Sequence, residues 1–234
     1  MILRQLFDRE SCTYTYLLAD DATRDAIIID PVIDKTARDL ALIHQLGLTL
    51  RYTLDTHVHA DHITGSGLLA KETGAKIVSA AVNKLSRADV QARNGETIKF
   101  GSHILEVLST PGHTSGCLTF VINNDGKRLA FTGDALFVRG CGRTDFQQGS
   151  PADLYNSIHE KIYTLGDDTI IYPGHDYNGH TKSTVREEKA HNPRLKVAIS
   201  KDEFVHIMDN LNLAYPKHIK VSLPANLQCG LTIE

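Results

Sequence analysis

The stretch Thr56-His57-Val58-His59-Ala60-Asp61-His62 packs four potential metal ligands into six residues, directly after an apolar run from Leu50 to Leu54. Imidazoles and a carboxylate crowded beside a hydrophobic strand are desolvated, which is costly unless they bind something. The pattern His-x-His-x-Asp-His predicts a loop at a strand end, with its imidazoles aimed at one point. Three later loops repeat that context. Leu105 to Ser109 leads into Thr110-Pro111-Gly112-His113, Leu129 to Thr132 into Gly133-Asp134, and Ile170 to Tyr172 into Pro173-Gly174-His175-Asp176-Tyr177. A glycine beside each ligand lets the backbone turn sharply and approach without a Cβ clash. Loops leaving the same ends of strands in an α/β sheet converge on one crevice. His57, His59, His62, His113 and His175, with Asp61 and Asp134, are therefore the candidate metal ligands. His44, His103, His159, His180, His191, His206 and His218 lack this context and read as solvated or hydrogen-bonded structural residues.

The elements that must carry these loops are legible in outline. Thr13 to Ala19 and Asp25 to Asp30 read as strands, the second a buried run closed by Pro31. Asp34 opens a helical pattern that Gly47 closes, and Leu48 to Thr56 is the strand entering the histidine loop. Ser66 to Thr73 predicts a helix and Ala75 to Ala80 a strand, so the opening alternates β and α. From Glu96 onward the chain reads as short strands at Thr97–Phe100, His103–Ser109, Cys117–Ile122 and Leu129–Thr132, with Asp125-Gly126 as a hairpin turn. Ser150-Pro151 starts a helix expected to run to Leu165, followed by a strand over Asp168–Tyr172. Thr184 to His191 predicts a charged helix, and Ser200-Lys-Asp-Glu203 a capping box for a last helix to Leu213. No repeat or linker divides the chain, so the expectation is one domain over 1–234, with a tail over 194–234 packed on it.

Bulk properties exclude several function classes. The chain has 234 residues, 41% hydrophobic and 23% charged, with a net charge of −3. That gives no electrostatic reason to expect nucleic acid or an anionic membrane as a partner. No apolar run approaches the roughly 20 residues of a membrane span. The first ten residues lack an apolar signal core, so the expected compartment is the cytosol, or an organelle if a leader has been removed. The four cysteines, Cys12, Cys117, Cys141 and Cys229, form no Cys-x-x-Cys pair and read as reduced, packed thiols. No Gly-x-Gly-x-x-Gly or P-loop spacing suggests an organic cofactor.

Thr-His-x-His-x-Asp-His, then Pro-Gly-His-Thr, Gly-Asp and Gly-His resembles the metallo-β-lactamase superfamily over roughly residues 10 to 180. The fold implied is α/β, an αββα sandwich of two mixed sheets with helices on the outer faces. Within the superfamily, three runs resemble the persulfide dioxygenase (sulfur dioxygenase) family: Phe131 to Phe137, Arg139 to Gly149, and Tyr172 to Tyr177. The tail from Phe204 to Leu213 and from Leu223 to Gly230 is similar as well, so the likeness covers nearly the whole chain.

Seven ligands could hold two metals in a hydrolytic site of glyoxalase II type, with Asp134 as the bridge. Resemblance to the dioxygenases implies instead one Fe(2+) per chain on His57, His113 and Asp134, a two-histidine, one-carboxylate set that leaves positions open for substrate and O2. His59, Asp61, His62, His175 and Asp176 then become orienting groups. Ligand identity alone fits both readings. Only 59 residues follow His175, with two helices expected among them, whereas glyoxalase II-like enzymes carry a longer helical domain there; they also typically have Glu where this chain has Asp176. The implied reaction is oxidation of a low-molecular-weight persulfide, above all glutathione persulfide, with O2 and water to sulfite and free thiol. Tyr177 is the candidate to hydrogen-bond the reacting sulfur or oxygen. Arg139 and Arg143 are the candidate cations for a glutathione carboxylate. A homodimer is implied by resemblance alone. A non-catalytic binding protein on the same fold is the remaining class, and it would have no use for an intact ligand set.

Overall fold

A computed structural model describes Met1–Leu231. These residues form two compact units. The first comprises Met1–Ala92, Ile98–Ile104 and the chain from Tyr215; the second comprises Arg93–Thr97 and Leu105–Ala214.

The first unit is built on a six-stranded sheet in sequence order: β1 (Ile2–Asp8), β2 (Thr13–Ala19), β3 (Asp25–Ile29), β4 (Thr49–Leu54), β5 (Lys76–Ala80) and β6 (Val90–Ala92). β1, β2 and β3 are antiparallel, while β3 through β6 are parallel. Parallel neighbours need a crossover, and α1 (Thr36–Gln45) and α2 (Ser66–Thr73) supply two of them. Leu17, Leu18, Ile27, Ile28 and Ile29 are all fully buried, which is why β2 and β3 read as continuous rather than alternating apolar runs. Each such side chain stabilises the core by roughly 1.5–3 kcal/mol. Ile29 pairs in register with Leu54, so Asp30 and Asp55-Thr56 leave adjacent strand ends.

A second sheet has the order β12-β11-β10-β9-β8-β7. Its strands are β7 (Thr97–Phe100), β8 (His103–Ser109), β9 (Leu118–Asn124), β10 (Lys127–Gly133), β11 (Ile170–Pro173) and β12 (Ser183–Thr184). β9 and β10 are joined at Asp125-Gly126, with φ of 52° and 77°, the left-handed pair that a two-residue hairpin requires. β10 and β11 run parallel, which brings the ends carrying Asp134 and His175 side by side. The core of the second unit packs Val121, Ala130 and Ile171 against Leu154, Ile158, Ile162 and Phe204 from its helices.

The strands expected from the sequence are present with shifts of a few residues, and β1, β6 and β12 are additions. The helix from Ser150 differs most. α3 is regular only over Pro151–Asn156, capped by the Ser150 hydroxyl accepting from the Asp153 N–H; it then widens into a π-helical turn over Ser157–Ile162 and tightens at Tyr163–Leu165. Both bonds of the capping box at Ser200 are formed, and α5 spans Lys201–Asp209. Among the described residues, three helices rather than two follow His175, since α6 (Ile219–Asn226) joins α4 (Val185–His191) and α5. Pro224 inside α6 hides it from a reading by propensity. No helix among the described residues is long and apolar enough to cross a membrane.

Candidate metal centre

In the first unit, the loop after β4 holds its histidines in a row. The rings of His57 and His59 lie 4.2 Å apart, and those of His59 and His62 4.3 Å. All three are buried. Asp30, at the end of β3, organises the row: its Oδ1 accepts the Thr56 N–H at 2.7 Å and lies 3.2 Å from His59 Nε2, while its Oδ2 accepts the Thr56 hydroxyl at 2.8 Å. The Thr56 oxygen sits 3.0 Å from His57 Nδ1. Because that hydroxyl spends its proton on Asp30, it accepts from His57 Nδ1–H, and the lone pair of His57 is left on Nε2. A chain from carboxylate through hydroxyl to imidazole thus fixes the tautomer.

His59 is different. Burial alone would push its imidazole down, but the Asp30, Asp55 and Asp61 carboxylates hold it up at about 10, so it stands as an imidazolium. Burial pushes Asp55 up to about 6, partly countered by His59. His62 Nδ1 lies 2.9 Å from Asp61 Oδ2, and His59, Asp61 and His62 bring one donor atom each within 4.8 Å of one another.

In the second unit, Asp134 stands between two imidazoles. His113 Nε2 is 3.5 Å from Asp134 Oδ2, and His175 Nε2 is 3.5 Å from Asp134 Oδ1. His113 Nδ1 donates to the Arg143 carbonyl at 2.6 Å; a carbonyl only accepts, so the lone pair of His113 is on Nε2, toward Asp134. The π-helical turn braces the loop before His113, with the Ser157 hydroxyl donating to the Pro111 carbonyl at 2.7 Å. Asp134 Oδ1 and His59 Nδ1 are buried without a hydrogen-bond partner among the described residues. A buried carboxylate oxygen of that kind is what a cation satisfies.

Gly142 and Gly174 show why small residues flank the site. A Cβ on Gly174 would lie 2.7 Å from Asp134 Oδ1, and one on Gly142 would lie 2.5 Å from the Asp134 carbonyl and 2.9 Å from the His113 ring. Gly174→Ala is therefore expected to displace the Asp134 carboxylate and weaken metal affinity by about 10–100-fold. Competition against a chelator measures this, and wild-type affinity would remove Gly174 from the site.

The remaining candidates have defined partners. Asp176 holds its own turn: Oδ1 accepts the Asn178 and His180 N–H groups at 2.8 and 2.7 Å. Tyr177 is exposed, and its ring stacks on His175 at 6.0 Å. The Arg143 fork grips Asp145 at 2.6 and 2.7 Å and donates to the Ala214 carbonyl at 2.8 Å. Arg139 has an acidic partner of its own. Its guanidinium and backbone N–H both bind the buried Glu188, which also accepts from Ser183 and Asn192. Cys141 is buried and its thiol is pushed up to about 11 by that burial, consistent with a packed, inert side chain. Asp30 and the Thr56 hydroxyl hold His57, and sequence reasoning did not single them out. Asp30 left one signal, an acid closing an apolar strand before Pro31.

Comparison with known proteins follows the same lines. The family model described as the metallo-beta-lactamase superfamily matches residues 13–175. The persulfide dioxygenase ETHE1, mitochondrial, of Homo sapiens is 52% identical over 99% of this chain and 89% of its own length. The crystal structure of ETHE1 from Myxococcus xanthus matches with a TM-score of 0.95 and 51% identity, covering 99% of this chain and 100% of the other. A Dictyostelium discoideum protein named glyoxylase B2 is 29% identical over 94% of this chain and 88% of its own. The chain belongs to the metallo-β-lactamase superfamily and has its fold, two mixed sheets with helices. Within that superfamily it is a member of the persulfide dioxygenase family, with the glyoxylase-named relative clearly more distant.

Proposed function

We infer that the chain is a persulfide dioxygenase. It converts a low-molecular-weight persulfide, O2 and water into the free thiol, sulfite and two protons, the sulfane sulfur giving four electrons to dioxygen. The single observation carrying this reading is 52% identity to a persulfide dioxygenase across 99% of the chain.

We propose that His57, His113 and Asp134 hold one ferrous ion. Two neutral imidazoles and one carboxylate are a donor set suited to Fe(2+) with open positions. Support comes from the Nε2 lone pairs of His57 and His113, each set by a hydrogen bond at Nδ1, and from the orphaned Asp134 oxygen. Held by His57, His113 and Asp134, a ferrous ion would supply the redox chemistry that joins persulfide sulfur to dioxygen. The protein's own work is to hold the ligands. Thr56 and Asp30 orient His57, the Arg143 carbonyl orients His113, and His175 steadies Asp134. Asp176 holds the turn after His175, and His59, Asp61 and His62 are the orienting groups on the other loop. Tyr177 is the hydrogen-bond donor to the reacting atoms. Glutathione persulfide is the proposed substrate, with Arg143 meeting a substrate carboxylate in place of Asp145.

Anaerobic purification with metal analysis, followed by oxygen-electrode assay with glutathione persulfide, tests the reading. One iron per chain and oxygen uptake are expected. Two metals per chain, with cleavage of a thioester such as lactoylglutathione and no oxygen uptake, would establish the binuclear hydrolase instead.

A further inference from the structure

Asn226, the last residue of α6, lies more than 160 positions from the histidine loop in sequence yet spends its whole side chain on that loop. Its two amide protons go to the His59 and His62 carbonyls, both at 2.8 Å, and its Oδ1 accepts the Thr64 N–H at 2.9 Å. The residue is buried, and every donor and acceptor it owns that can reach a partner is used. No regular strand or helix covers the loop between Leu54 and Ser66, so its buried backbone groups need partners from elsewhere. The residues that follow extend the same contact. The Gly67 N–H donates to the Cys229 carbonyl at 2.9 Å, and Gly230 approaches so closely that a Cβ there would lie 2.1 Å from the Thr64 carbonyl.

We propose that Asn226 is a positioning residue for the metal loop, a three-point clamp from the C-terminal helix that fixes the backbone between His59 and Thr64 and so the aim of His57. The proposal rests on the reading that this loop supplies a metal ligand. It assigns α6 a task in metal binding rather than in packing alone. A clamp on carbonyls and an N–H is indifferent to the loop's side chains, so it sets where the histidines sit without competing for their ring nitrogens. Its polarity is also specific. Asp at this position would keep the acceptor for the Thr64 N–H but replace two donors with an oxygen facing two carbonyls, whereas Ser would keep a single donor.

The test uses the full-length chain with Asn226→Ala, Asn226→Ser and Asn226→Asp, and Lys220→Ala on the exposed side of α6 as control. Amide hydrogen exchange over residues 57–66 is read on the metal-free proteins, and Co(2+) affinity by competition with a chelator. Faster exchange confined to that segment and a 10–100-fold loss of affinity are expected for Ala and Asp, with Ser between them and wild type. The control should match wild type. If Asn226→Ala does not fold, the graded comparison of Ser with wild type carries the decision. Unchanged exchange and affinity in a folded variant, or a uniform loss of stability with affinity intact, would overturn the clamp. Should the wild-type chain itself bind no Co(2+), the metal reading fails, while the exchange data still decide whether Asn226 holds the loop.

Discussion

Asp134→Ala is expected to abolish metal binding and persulfide oxidation together. Asp134 is the only carboxylate in the proposed ligand set, so the substitution leaves two neutral imidazoles and no charge to offset a divalent cation. The loss in affinity should exceed the roughly 10–100-fold typical of orienting residues. It also removes the anion that stands 3.5 Å from both His113 and His175, although His113 keeps its bond to the Arg143 carbonyl. His59→Ala is the informative partner. His59 Nε2 is already committed to Asp30, so its loss should leave much of the iron in place while destabilising the loop. Metal content measured side by side in the two variants decides the matter. Equal loss would place His59 among the ligands and favour the binuclear reading.

Asp30→Ala is expected to produce the largest loss of stability. The carboxylate is almost fully buried and accepts from the Thr56 N–H and hydroxyl while facing the His59 imidazolium. Removing one partner of a buried ionic pair typically costs about 3–5 kcal/mol, because the other charge remains without compensation. For a chain of this size that corresponds to a fall in Tm on the order of 10 °C. Asp30 also sits at φ 51°, a left-handed conformation that Asp and Asn tolerate better than Ala. Asp30→Asn should therefore keep the backbone and the bond from the Thr56 N–H, and fall between wild type and Ala. Thermal melts with and without metal measure both effects. A melting temperature within 2 °C of wild type for Asp30→Ala would remove it from the network, that being a shift of about 0.5–1 kcal/mol.

The parts of the site that were legible in the sequence are those encoded locally. Ligands crowded after an apolar strand cannot be solvated cheaply, so the histidine loop, Gly-His113, Gly-Asp134 and Gly-His175 stand out without any tertiary information. The groups that hold them do not. Asp30 is one acid at a strand end, and it gains a role only because β3 lies parallel to β4 with Ile29 opposite Leu54. Asn226 is one amide at the end of a helix containing a proline, and its partners lie more than 160 residues away. The short β6 and the half-buried β1 offer too little pattern for a periodicity argument. The helix after Ser150 was expected to be regular because no residue in it breaks a helix. Its widening at Ser157 follows from packing, where that hydroxyl reaches the Pro111 carbonyl. The partner of Arg139 is equally hidden: a cation near a glycine-rich run gives no sign of the buried Glu188 that it pairs with.

The bond from His113 Nδ1 to the carbonyl of residue 143 separates two kinds of inheritance. The main chain at 143 sets the proton position on a proposed metal ligand, while the Arg143 side chain pairs with Asp145 at the surface. A substitution at 143 can therefore change the surface charge there while leaving in place the carbonyl that holds the His113 proton. Randomising 143 and 145 would thus probe the proposed carboxylate contact of Arg143 with the His113 hydrogen bond left intact.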